Sequence, residues 1–157
     1  MAENRRRVHP VGEGSRWEAN HAVVSRIGDE EEVQNASLRR RVQRTFGGGA
    51  LRVYTGHDPV GAELGGALKN VIALAAGIND GLGLGDNAKA ALLARGLVEI
   101  SRLGLALGAR EATFWGISGL GDLLTTAYSP HGRNLRVGRL LGRGIPLKRI
   151  LAGMEQV

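Results

Sequence analysis

The residues best placed to do chemistry begin with a lysine inside an apolar segment. Glu63-Leu64-Gly65-Gly66-Ala67-Leu68-Lys69-Asn70 is small and apolar until Lys69-Asn70 interrupts it. On helical spacing Glu63, Ala67 and Asn70 share a face and Lys69 lies beside it. A lysine among Leu68, Val71 and Ile72 is partly desolvated if that face is covered. Desolvation favours the neutral amine and makes it available as a base. The alternative is a surface lysine whose stem lies along apolar neighbours with its ammonium in water. Gly65 and Gly66 cost up to about 1 kcal/mol each against alanine in a helix, and such residues are kept where something packs closely.

A second patch is Gly119-Leu120-Gly121-Asp122-Leu123-Leu124-Thr125-Thr126. Its aspartate is read either as a helix cap or as a carboxylate presented at a helix start. Shortly after comes His131-Gly132-Arg133-Asn134. Gly132 permits close approach, Arg133 offers a forked donor and Asn134 stands at a helix N-terminus. Those are the parts of a phosphate site, or of an ordinary capped basic helix.

Other chemistries are poorly served. Gly81-Leu82-Gly83-Leu84-Gly85 lacks the dinucleotide spacing and follows a helix rather than a strand, so it reads as a tight interhelical loop. There is no Walker motif. The chain has no cysteine, which excludes disulfides, thiolate metal sites and a thiol nucleophile. His9, His21, His57 and His131 are scattered without ligand spacing.

These residues need elements to position them. Residues 1–20 mix charge, Gly and Pro without periodicity and are expected to form a disordered leader. Ala22-Val23-Val24 with Ile27 predicts a strand, 30–46 a helix, and 51–55 a second strand. Together, residues 21–56 form a strand–helix–strand unit of the kind used in parallel sheets. Residues 57–157 read as helical throughout. Helices are expected over 61–77 and 88–107, the second capped by Asp86 or Asn87, with a glycine-rich loop over 81–86 between them. Shorter helices follow over 111–117, 122–127 and 134–141, and Pro146 opens a last one. The expected fold is mainly α, an all-helical domain preceded by a remnant α/β unit.

The net charge of +6 favours anionic partners. Arg133, Arg136, Arg139, Arg143, Lys148 and Arg149 crowd the end of the chain, where Glu155 is the one acid after residue 132. No aromatic follows Tyr128, so a stacking platform for nucleic acid is missing there and no nucleic-acid partner is expected. No apolar run is long enough for a membrane span. A cytoplasmic protein is expected, with self-association into a homodimer left open.

Taken together, the motifs resemble the bacterial NAD(P)-dependent glycerol-3-phosphate dehydrogenases. The resemblance is carried by Val53-Tyr54 through Glu63-Leu64-Gly65-Gly66-Ala67-Leu68-Lys69-Asn70-Val71-Ile72-Ala73. It continues in Gly77-Ile78-Asn79-Asp80-Gly81-Leu82-Gly83 with Gly85-Asp86-Asn87-Ala88-Lys89-Ala90-Ala91. The third stretch is Gly119-Leu120-Gly121-Asp122-Leu123, followed by Arg133-Asn134. It covers roughly residues 21–157. It implies hydride transfer between NAD or NADP and dihydroxyacetone phosphate, giving sn-glycerol 3-phosphate for phospholipid synthesis. It implies Lys69 as general acid/base and Asp122 as its orienting carboxylate, both also touching substrate. Asn70, Thr126, Gly132, Arg133 and Asn134 become substrate-binding residues. Arg133 and Val157 become cofactor-binding ones.

The departures are specific. The family's dinucleotide domain opens on a glycine fingerprint that is missing here, together with a substrate-contacting lysine of that domain. Only the closing strand–helix–strand, residues 21–56, matches it. Gly132 stands where serine is common, and Val157 falls at the start of a valine–glutamate segment near the cofactor. The expectation is that this chain alone has little or no dehydrogenase activity. The competing readings are a non-catalytic helical interaction or dimerisation module, and a fragment of another two-domain hydroxyacid dehydrogenase.

Overall fold

The computed structural model describes residues 35–48 and 51–154, together with the backbone of residues 21–24. The expected leader over 1–20, Ile27 and Val157 lie outside the described residues.

Strand β1 (His21–Val24) pairs in parallel with β2 (Arg52–Thr55), in the register His21 to Arg52 through Val24 to Thr55. Parallel strands need a crossover, and helix α1 (Ala36–Phe46) lies in it. The expected helix over 30–46 is described from residue 36. Asn35 caps it by accepting from Ser37 N and Leu38 N at 2.9 and 3.3 Å. Gln43 Nε2 donates to the Val53 carbonyl at 2.8 Å and ties the helix to β2.

Helix α2 (Pro59–Leu82) is the spine of the molecule. It starts two residues before the expected 61–77 segment because Asp58 caps it through Gly61 N, with Pro59 at the first position. It also runs past the expected stop. The glycine-rich loop shrinks to residues 83–85, since Gly81 packs in the helix against α6 (Arg133–Gly142). Gly83, at φ +71°, supplies the left-handed C-cap, and Leu84 N bonds to the Asn79 carbonyl.

Helix α3 (Asp86–Ala106) follows at once. Neither Asp86 nor Asn87 is its cap. Gly85 takes that position without a side-chain bond, and Asp86 sits in the first turn, where its charge suits the helix dipole. Helix α4 (Glu111–Trp115) stops two residues before the expected end. A π-helical turn, Ile117–Gly121, comes next and leads into α5 (Asp122–Tyr128). After α6 comes α7 (Leu147–Ala152), with Pro146 one position earlier than expected, at the cap.

The core lies between α2, α3, α4, α5 and α6. Leu93, Leu97, Ile100, Phe114, Leu123 and Leu135 are buried there, and Leu64, Leu68 and Ile72 of α2 pack against them. Phe114 is its sole aromatic, fully enclosed beside Gly104, where a Cβ would lie 2.1 Å from the ring. Helices α2 and α6 cross on paired glycines. A Cβ at Gly138 would lie 2.1 Å from the Leu74 carbonyl, and one at Gly77 would lie 2.3 Å from that of Leu135. The backbones therefore meet directly, and the first turn of α6 is held at a fixed place along α2.

Candidate functional site

Lys69 and Asn70 are consecutive on α2, so they leave the helix about 100° apart. Each meets a different element. Lys69 Nζ donates a short hydrogen bond to Asp122 Oδ2 at the start of α5. Asn70 Oδ1 accepts from Asn134 Nδ2 of α6 at 2.9 Å, and its own amide donates to the Gly66 carbonyl at 3.3 Å. One turn of α2 thus gathers Asp122 and Asn134, residues 53 and 64 positions away.

Asp122 is not an N-cap. The π-turn precedes it, with the wide bond from Gly121 N to the Gly116 carbonyl at 3.1 Å. Such turns re-phase the helix that follows and recur at functional sites. The turn backs onto α2 at Gly65, where a Cβ would stand 2.6 Å from the Ser118 carbonyl. That contact accounts for a glycine in the helix. Lys69 is neither buried nor a free surface lysine: its side chain is 21% exposed and that of Asp122 37%. The pair has one side open to solvent. Thr126 is half-buried, and its hydroxyl donates to the Asp122 carbonyl at 2.7 Å.

Arg133 and Asn134 open α6, with Gly132 at the cap position making no side-chain bond to the helix. Arg133 is exposed, and its guanidinium has no partner among the described residues. The first-turn amides of α6, the helix dipole and an exposed arginine at the same helix start are features suited to an anion. A Cβ at Gly132 would lie 3.2 Å from the carbonyls of Thr126 and Ser129, so a serine there would need a small local shift.

Two carboxylate latches were missed by sequence reasoning. Asp58 accepts from Gly61 N at 2.9 Å, Arg110 N at 2.8 Å and Thr113 Oγ1 at 2.6 Å, joining the start of α2 to α4. Burial works against its charge, but these bonds outweigh it and hold the carboxyl below its ordinary value. Asp80 binds Lys89 Nζ at 3.0 Å and Arg139 at 2.9 and 3.0 Å. Burial again opposes ionisation, and the bonds and charges of Lys89 and Arg139 prevail and lower the value. Lys89 is buried and also lies 4.4 Å above the Tyr128 ring. Opposite charges at 80 and 89, flanking the glycine-rich stretch, were the available signal.

A partly open pocket beside Asp58, between Gly56, Ala62, Thr113 and Ser118, measures about 50 Å3, too small for a triose phosphate. No described helix is long and apolar enough to cross a membrane.

A parallel strand–helix–strand leads into a helical body, in which a lysine–carboxylate pair joins α2 to the start of α5. Residues 58–157 match the family model described as NAD-dependent glycerol-3-phosphate dehydrogenase C-terminus, and the chain belongs to that family. It is 65% identical over 108 residues to a glycerol-3-phosphate dehydrogenase of Thermus thermophilus, covering 69% of this chain and 34% of that one. It is 60% identical over 142 residues to that of Bacillus cereus, covering 88% and 42%. Among solved structures, the glycerol-3-phosphate dehydrogenase of Coxiella burnetii superimposes with a TM-score of 0.75 at 40% identity, covering 79% of this chain and 38% of that one. The chain therefore spans between a third and a half of the length of these relatives. The mainly helical fold that was expected is the fold found among the described residues.

Proposed function

We propose that this chain carries the substrate-binding and proton-transfer half of a glycerol-3-phosphate dehydrogenase, acting on dihydroxyacetone phosphate with NADH or NADPH. The observation that carries the proposal is the Lys69–Asp122 pair with the Asn70–Asn134 pair on the next residue of the same helix. Residues 57–157 form the substrate domain, and 21–56 belong to a dinucleotide-binding unit. When bound, the cofactor supplies the hydride.

The remaining steps follow from the side chains. Arg133 and the first turn of α6, with Gly132 at its cap, hold the substrate phosphate. Asn134 shares in holding that phosphate, and Asn70 and Thr126 orient the hydroxyl and carbonyl oxygens. Lys69, as an ammonium, gives its proton to the carbonyl oxygen while carbon is reduced. In reverse, the amine takes the hydroxyl proton. Asp122 keeps the ammonium directed and offsets its charge. Arg133 would also help hold the cofactor, with Val157 assigned to the same role. The site has an open side in this chain, so the missing wall and the hydride donor would come from a dinucleotide-binding part. The product is a phospholipid precursor, and the reading places the protein in the cytoplasm, with a homodimer as its assembly.

Calorimetric titration of dihydroxyacetone phosphate into the 157-residue chain tests this. Heat is expected from the wild type and none from Arg133→Ala. Equal heat from both would refute the assigned phosphate site. The chain alone is expected to leave NADH unoxidised. Robust substrate-dependent oxidation would overturn the view that the catalytic residues need a further domain.

A further inference from the structure

Helix α5 is held at both ends by lysines from other helices. At its start Asp122 pairs with Lys69 of α2. At its end the Tyr128 ring covers Lys89 Nζ of α3 at 4.4 Å. Lys89 is itself fixed, with its side chain 4% exposed and its ammonium 3.0 Å from Asp80 Oδ2. The same oxygen binds Arg139 of α6. Tyr128 is 51% exposed, and the ammonium beneath it is a described contact that holds the ring in place. The segment that follows, residues 129–132, is held by few bonds. They are Gly132 N to the Ser129 carbonyl at 3.1 Å, Ser129 N to that of Thr125 at 2.9 Å, Arg136 N to that of Gly132 at 3.0 Å, and a 3.3 Å bond from His131 N to the Ser129 hydroxyl. It leads directly into Arg133 and Asn134.

We propose that Lys89 is a positioning residue: bridging Asp80 and the Tyr128 ring, it fixes the turn that presents Arg133 and Asn134 to the substrate phosphate. One ammonium joins α2, through Asp80, to the last residue of α5. Arg139 reaches the same carboxylate from α6, so both sides of the turn are referred to one point. The cluster holds two cations and one carboxylate, and the ring face supplies the negative potential that the second cation lacks. The functional part of this inference rests on the phosphate assignment above. Its structural part does not.

The test is amide hydrogen exchange on the 157-residue chain without ligand, comparing Lys89→Met, Lys89→Arg, Tyr128→Leu and Tyr128→Phe. Methionine keeps the stem's volume and leaves Asp80 paired with Arg139, so no carboxylate is stranded. Exchange over residues 129–136 is expected to rise roughly 5-fold in Lys89→Met and Tyr128→Leu, with α2 and α3 unchanged. Lys89→Arg and Tyr128→Phe are expected to stay near wild type. Tyr128→Leu alters an exposed ring and decides the matter if Lys89→Met fails to fold. Unchanged exchange over 129–136 in Tyr128→Leu, or an equal rise across α2 and α3, would overturn the proposal. Dihydroxyacetone phosphate titration of the same variants separates the two readings. If the wild type takes up none, the phosphate assignment fails while the exchange result still decides the role of Lys89. If it binds, a weaker affinity in Lys89→Met, rescued by Lys89→Arg, is expected.

Discussion

The contact between α2 and α6 gives opposite signs for one chemical change made at two places. In Gly138→Ala the new methyl would meet the Leu74 carbonyl at 2.1 Å, Gly77 Cα at 2.8 Å and Ile78 N at 2.9 Å. All three are backbone atoms, so no side chain can swing away and the helices must part. Overpacking of that kind costs about 1–3 kcal/mol, and a contact this short belongs at the upper end. Alanine returns up to about 1 kcal/mol of helix propensity, leaving a net loss of about 2 kcal/mol. For a chain of this size that lowers the melting temperature by roughly 4–8 °C. In Gly66→Ala, on α2, the methyl meets nothing within 4 Å. The propensity gain then stands alone, and the melting temperature should rise by roughly 2–4 °C. Thermal unfolding followed by circular dichroism measures both. A Gly138→Ala chain melting at or above wild type would refute the direct backbone crossing, and a destabilised Gly66→Ala chain would show that its surroundings are not open.

Other consequences can be checked by similar means. Phe114→Ala empties the enclosed ring site and should cost about 3–5 kcal/mol in urea unfolding; a loss under about 1 kcal/mol would place the ring at the surface. Asp58→Ala removes three hydrogen bonds, one of them the cap of α2, and about 1–3 kcal/mol of stability is expected to go with them. The lowered value of Asp80 makes a statement about acid. Its stabilising contribution is complete above the ordinary value of 3.8 and disappears as pH falls through the lower folded-state value. The stability difference between wild type and Asp80→Asn should therefore be widest near neutral pH and shrink below about pH 4. A difference that stays constant down to pH 2 would rule out the ion pairs as its source.

Periodicity made the helical segments legible, because Leu64, Leu68 and Ile72, and likewise Leu93, Leu97 and Ile100, repeat at three- and four-residue intervals. The strand–helix–strand was legible for the same reason. Boundaries were less so. The end of α2 depended on Gly81 meeting Gly142 across a crossing that joins residues about 60 apart, and no local rule contains that. Lys69 and Asp122 stood out as residue types, yet their pairing depends on a π-turn whose sequence, Ile117-Ser118-Gly119-Leu120-Gly121, reads locally as an ordinary loop. The Asp58 and Asp80 latches stayed hidden because each takes partners from remote helices. Their nearest local sign, a carboxylate before Pro59 and another before Gly81, is common in loops.

Helix α2 has a further consequence for how the chain can vary in length. Over 24 residues, roughly 36 Å, it carries in order the Asp58 cap, the Gly65 contact, Lys69, Asn70, the Gly77 crossing point, Asp80 and the Gly81 crossing point. Between them they meet α4, the π-turn, α5, α6 and α3, so each is a bearing on one dial. Inserting a single residue between Lys69 and Gly77 would turn everything beyond it by about 100° and set α6 and the lysine in conflicting directions. Length changes are thus barred from 65–81. They can be absorbed at the left-handed glycine turns, at Gly108 and Gly144, where a longer loop alters no phase.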